Sequence, residues 1–135
     1  MTSTRRTRMT RTAALVATGL VACAPLLATA PAHAKDGRVT ATGSCGGPTW
    51  KLKAQPDDGR VQIEFEVDSN VAGQTWAVKI ADNGTSVFSG NRRTTAPSGS
   101  FSVEVRTANR SGDDVITAVA TRGAKTCSGA VTLPA

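Results

Sequence analysis

The run 60–69 sets Val61, Ile63, Phe65 and Val67 in strict alternation with Gln62, Glu64, Glu66 and Asp68. A repeat of two places successive side chains on opposite faces of an extended strand, so one face is buried and the other is wet. The same period carries Trp50, Leu52 and Ala54 against Lys51 and Lys53. Beyond residue 35 no stretch keeps the 3.6-residue repeat of an amphipathic helix. Short alternating runs follow one another instead, separated by Gly, Pro, Asn and Asp. That pattern predicts an all-β fold, a single antiparallel β-sandwich of seven or eight short strands, with a partly closed barrel as the alternative. Strands are expected at 38–45, 49–54, 60–69, 74–81, 85–90, 100–107, 115–121 and 126–133.

The turns fix how these strands pair. Pro56-Asp57-Asp58-Gly59 joins two strands whose lysines and glutamates then face each other across a hairpin. Asn83-Gly84 accepts positive φ at both central positions of a tight turn and is the strongest hairpin signal in the chain. Folding there sets Ile80 opposite Val87 and Val78 opposite Ser89, with Phe88 on the outer face beside Lys79. Gly123-Ala124 marks a further hairpin, with Ala120 opposite Cys127, Ala118 opposite Gly129 and Ile116 opposite Val131. Cys127 and Cys45 each sit on the inward face of a terminal strand among small neighbours. Those neighbours leave room for sulfur, and the spacing predicts a Cys45–Cys127 disulfide. In the chain-entropy account, closing this 127 − 45 = 82-residue loop stabilises the fold by about 4.5 kcal/mol.

The first 34 residues follow a different logic. Arg5, Arg6, Arg8 and Arg11 precede an apolar run over 13–30, and Ala32-His33-Ala34 supplies a small-x-small cleavage site. These are the three regions of a secretory signal peptide, so residues 1–34 are expected to be removed and residues 35–135 to fold outside the cell. An oxidising compartment permits the disulfide. The run is broken by Gly19 and Pro25 and is too weakly apolar for a membrane span. Leu20-Val21-Ala22-Cys23 has the form of a lipidation site, making a membrane-anchored lipoprotein the alternative location. The chain's formal charge of +6 belongs mostly to the leader. Residues 35–135 hold 16 − 4 = 12 basic and 10 acidic side chains, a net +2, so no nucleic-acid partner is expected.

The residue inventory narrows chemistry sharply. Beyond residue 34 there is no His, Met or Tyr, which removes Ser-His-Asp and Cys-His catalysis and every histidine metal site. Glu64 and Glu66 share a strand face, but a wet face opposite lysines lacks the cleft that catalytic carboxylates need. Asp57-Asp58 and Asp113-Asp114 offer oxygen ligands of the kind calcium takes, yet aspartate is common in turns. No enzyme activity, cofactor or metal is expected. The longest loops are expected at 91–99 and 108–114, and Asn91, Arg92, Arg93 and Thr94 of the first are the candidate partner-binding residues.

The Thr-Arg-Arg leader ending Ala-Pro-Ala-His-Ala, the Gly-Ser-Cys-Gly-Gly segment at 43–47 and the Arg/Thr/Ala/Gly/Val-rich composition give the chain a resemblance. It resembles the small secreted immunoglobulin-like β-sandwich proteins of actinomycetes. The resemblance implies an extracellular location and a shape, and no activity. It departs from antibody-type domains in tying the first strand to the last. The expected function is that of a monomeric, non-catalytic binding module for an extracellular protein or a cell-wall glycan. A secreted protease or amylase inhibitor, with Arg92-Arg93 as bait, is the second expectation. The intact mass of protein recovered from culture medium is expected to correspond to a chain beginning at Lys35. A mass matching a lipid-modified Cys23 terminus would show anchoring instead.

Overall fold

A computed structural model describes residues 37–135; residues 1–34, expected to be a signal peptide and including Cys23, and Lys35 lie outside the described residues. Each alternating run becomes a strand. In chain order these are β1 Val39–Ser44, β2 Thr49–Asp57, β3 Arg60–Asp68, β4 Thr75–Asp82, β5 Thr85–Arg93, β6 Ser100–Ala108, β7 Asp114–Arg122 and β8 Lys125–Leu133. They form two antiparallel sheets, β1-β2-β3-β6 and β5-β4-β7-β8. The sheets stay separate, so the architecture is a sandwich and the barrel alternative is set aside.

The core is what period two dictates. From the first sheet come Leu52 and Ala54, then Val61, Ile63, Phe65 and Val67, then Phe101 and Val103. The second contributes Trp76, Val78, Ile80, Ile116, Ala118, Ala120, Cys127, Val131 and Leu133. On the outer face of the first sheet, Lys51 opposes Glu66 and Lys53 opposes Glu64. Both pairs close as ion pairs, Lys51 to Glu66 at 3.3 Å. Exposed pairs of this kind contribute about 0.2–1 kcal/mol each and mainly hold register. The two glutamates are thus part of a solvated ladder. At its far end Arg38 Nε donates to Gln55, and Gln55 Nε2 donates to Gln62, at 2.8 and 2.7 Å.

The register of β4 against β5 corrects the sequence expectation. The Asn83-Gly84 turn forms, with φ of 47° and 80°, but the ladder slips between Ile80 and Ala81. Ala81 faces Ser86 and Ile80 faces Phe88, which leaves Val87 as the extra residue of a bulge. A one-residue slip turns every later side chain to the other face. Phe88 therefore points inward and packs against the core, and Ser89 takes the place beside Lys79. The physical reason is apolar burial: the unshifted register would leave the phenyl ring in water. Asn83 also holds β7 in place, since its N–H donates to Val115 O and its Oδ1 accepts from Val115 N–H, both at 2.9 Å.

The β7–β8 hairpin pairs as expected, Ala120 with Cys127, Ala118 with Gly129 and Ile116 with Val131. The disulfide joins Cys45 to Cys127, with Cα atoms 5.1 Å apart. Cys45 lies one residue beyond β1, where its N–H donates to Pro48 O at 2.9 Å. The bridge therefore ties one sheet to the other along the edge where β1 meets β8.

The small residues near the bridge have a second role that residue size alone does not reveal. They hold an indole. A Cβ built on Gly43 would lie 2.6 Å from the Trp50 ring, and one built on Gly129 would overlap the same ring from the other sheet. Trp50 is thus clasped between a glycine of β1 and a glycine of β8, tilted 50° to Phe65 at 6.5 Å between centroids. Replacing Gly129 with Ala is expected to cost about 1–3 kcal/mol, the usual penalty of overpacking. In a Trp50→Ala background the same replacement is expected to cost far less, because the clash partner is gone. Equal costs in the two backgrounds, measured by urea unfolding, would show that the indole is not what the glycine accommodates.

Candidate functional site

Antiparallel strand directions gather the loops 45–48, 69–74 and 94–99 and the turn Gly123-Ala124 at one end of the sandwich. The sequence places Asn91, Arg92, Arg93 and Thr94 in a single loop there. The structure corrects this: Asn91, Arg92 and Arg93 complete β5, paired with Ala77, Trp76 and Thr75. Continued ladder bonding lengthens the strand beyond its apolar residues, because an edge position tolerates charged side chains.

Thr94 is 1% exposed and joins two loops. Its N–H donates to Gln74 O at 2.9 Å, and its C=O accepts from Gly73 N–H at 2.8 Å. Its hydroxyl donates to Val71 O at 2.6 Å and accepts from Gln74 N–H at 2.9 Å. The neighbouring contact is equally tight. Ser69 N–H donates to Gly99 O at 3.0 Å, and a Cβ on Gly99 would run into the Val71 backbone. With φ of +74°, Gly99 is the residue that lets the 94–99 loop lie directly on the 69–74 loop. The loops form one bonded platform, and the Arg93–Thr94 peptide is built into it. A protease substrate must instead offer an extended segment free of its own ladder.

Charge is distributed unevenly. The last residues of the strands at this end carry Arg92, Arg93, Arg122 and Lys125 against the single carboxylate of Asp68, whose Oδ1 accepts from Asn70 N–H at 2.9 Å. Arg92 lies with its guanidinium 4.4 Å from the Phe88 ring centroid, a cation–π contact that also shields the ring's face. Arg93 is exposed beside Gly73. Lys125 reaches across the sandwich to donate to Gly46 O at 3.0 Å. Arg122 and Lys125 stand directly opposite each other on β7 and β8. Among the described residues no ion pair engages any of the four cations. The opposite end mixes signs: Asp57 pairs with Arg106 at 2.8 Å, Asp113 accepts from Ala135 N–H, and Asp82 and Asp114 are buried.

Other candidate chemistry is placed as follows. Glu64 and Glu66 are engaged by lysines on an open face. Among the described residues no group of three or more His, Cys, Asp and Glu side chains could hold a metal ion. A shallow depression of about 490 Å³ lies on the first sheet, lined by Thr42, Gly43, Ser44, Thr49, Trp50, Lys51, Glu66 and Asp68. It holds hydroxyls, an internally paired Lys–Glu couple and part of the half-buried Trp50 indole. Trp76 is buried, and Trp50 is clasped between glycines. No protein family, curated protein or solved structure matches this chain.

Arg122 and Lys125 are the residues that sequence reasoning missed. The signal was present, since a two-residue turn flanked by like charges sets them face to face, but only strand order brings that turn to the end that carries Arg93. Trypsin is expected to spare the Arg93–Thr94 bond in the folded protein. Thr94→Val, which strips Gln74 N–H and Val71 O of a buried partner, is expected to cost about 1–3 kcal/mol and to speed cutting there. Rapid wild-type cleavage at Arg93 under native conditions, read by mass spectrometry, would contradict the bonded platform.

Proposed function

We propose that residues 35–135 act outside the cell as a non-catalytic binding module that presents this loop-bearing end to an extracellular protein or a cell-wall glycan. The carrying observation is the pairing of rigidity with unmatched charge. Loops 69–74 and 94–99 are locked together through Thr94, the 45–48 loop is anchored by the disulfide, and the cations at their rim have no acidic partner among the described residues. A surface held in one conformation loses little entropy on binding.

Strand order supports an immunoglobulin-like reading. The order β2-β3-β6 over β8-β7-β4-β5 follows the connectivity A-B-E over G-F-C-C′ of such domains, with β1 as an added edge strand. Under that correspondence the β3–β4 and β7–β8 connections stand where those domains carry binding loops. The disulfide, and the fact that no helix among the described residues is long and apolar enough to cross a membrane, are compatible with an extracellular location. The bonding of the Arg93–Thr94 peptide into the platform weighs against the inhibitor reading with that bond as bait.

The test is binding of the purified protein to cell-wall material and culture-fluid proteins of the producing organism, measured by co-sedimentation and pull-down. Wild type is expected to be retained, and a variant with several loop-end substitutions (Asn70→Ala, Arg93→Ala, Ser98→Ala, Arg122→Ala) is expected to be lost at least tenfold while keeping its Tm. Retention of that variant at wild-type level would place the binding surface elsewhere. Hydrolysis of a polysaccharide by wild type, abolished in Glu64→Gln, would replace the proposal with an enzyme.

A further inference from the structure

The basic end has a more specific reading, which rests on the proposal that this end is the binding surface. Arg122 and Lys125 are directly opposed neighbours in an antiparallel ladder, where side chains are within about 5.5 Å at Cβ and like charges destabilise the pair. Elsewhere such a conflict is relieved within the fold. Glu64 also opposes a like charge, Glu104, but Lys53 closes on it. No carboxylate among the described residues reaches Arg122 or Lys125. Lys125 meets the Gly46 carbonyl, but a turn that keeps two cations with no counter-charge violates a local rule of the kind found at functional sites, and a bound anion would supply that charge.

The remaining cations extend the site. Strand order places β5 two positions from β7 and three from β8, so at roughly 4.8 Å per strand Arg93 lies roughly 10–14 Å from the opposed pair. Arg92 stands beside it on β5. Side-chain parity separates them. Arg92, Arg122 and Lys125 fall in phase with the inward residues Trp76, Ala120 and Cys127, so they rim the mouth between the sheets, whereas Arg93 is in the opposite phase. Charges spread along a line of this length suit a ligand whose charges repeat, rather than a single small anion.

What surrounds the cations selects among polyanions. A protein partner calls for a buried apolar or aromatic anchor at the centre of the interface, and among the described residues the only large apolar side chain exposed at this end is Val71, at 51%. Single-stranded nucleic acid calls for open aromatic faces on which bases stack. Here the Phe88 face is covered by Arg92, Trp76 is buried, and the half-buried Trp50 ring is flanked by Gly43 and Gly129, which leaves no open row of aromatic faces. Hydroxyls are abundant instead: Thr75, Thr95, Ser98, Thr121 and Thr126 lie around the rim. We propose that the loop-bearing end binds a flexible, hydroxyl-bearing polymer with phosphodiester charges along its backbone, held by Arg93, Arg122 and Lys125.

The experiment uses the purified protein and a synthetic poly(glycerol phosphate) as probe, with neutral dextran and an oligo-dT strand as comparisons, by fluorescence anisotropy at several salt concentrations. Poly(glycerol phosphate) is expected to bind, dextran to fail, and affinity to fall steeply between 50 and about 200 mM salt as counterions are released. Arg122→Gln/Lys125→Gln and Arg93→Gln are each expected to weaken binding at least fivefold. Arg110→Gln, at the other end, is expected to change it less than twofold. Wild-type affinity in both basic-end variants would overturn the assignment, as would tighter binding of oligo-dT than of the polymer. Retention of wild type on whole cell-wall material without affinity for poly(glycerol phosphate) would overturn only this inference and leave the binding-module proposal standing. Loss of both would remove the two together.

Discussion

The fold depends on how its two sheets are held together where β1 meets β8. Face-to-face sheets sit about 10 Å apart, a gap that interdigitating side chains must fill. At this edge the gap is spanned by the Cys45–Cys127 bridge and filled by the Trp50 indole, which fits only because Gly43 and Gly129 lack side chains. The two features act on different states. Clasping the ring contributes packing in the native state, whereas the bridge raises the free energy of the unfolded chain by restricting it. A domain of this size has a net stability of only about 5–15 kcal/mol, so a bridge worth several kcal/mol is a large part of what keeps it folded.

That closure leaves the outer surfaces free to differ. The first sheet shows water a ladder of alternating lysines and glutamates that neutralise one another, while the outer face of the second is made mostly of Thr, Ser, Ala and Val with Lys79. At the end where the loops meet, Arg92, Arg93, Arg122 and Lys125 outnumber the single carboxylate of Asp68. Paired charges spend their field on each other. Unpaired ones project it into solvent, where it steers an oppositely charged partner. The ends of this molecule therefore differ in their balance of sign: both carry arginines, but the end opposite the loops also carries Asp57, Asp58, Asp82, Asp113 and Asp114.

Much of this architecture is legible in the amino-acid sequence alone. Alternation marks all eight strands, because burying one face of a sheet imposes period two on the residues themselves. The Lys51–Glu66 and Lys53–Glu64 pairs follow from a short turn that fixes its register, and the disulfide follows from two inward cysteines among small neighbours. The Phe88 register departs from expectation for an instructive reason. Asn83-Gly84 fixes the turn, but a bulge at Val87 overrides the count from the turn, and the gain that drives it is burial of a ring against strands distant in sequence. Thr94 is misjudged likewise: a hydroxyl residue in a Thr/Pro/Ser/Gly stretch reads as loop surface, and only the docking of 69–74 against it makes it buried.

Local period, turn chemistry and residue type suffice for the class of fold, the strand set, the bridge and the poverty of reactive side chains. Tertiary structure decided what lies between the sheets and what stands together at their ends. The glycines that residue size assigns to the sulfur bridge make room for Trp50, and Arg93 joins Arg122 and Lys125 although 122 − 93 = 29 residues separate the first two. Strand order, which no local pattern encodes, sets both.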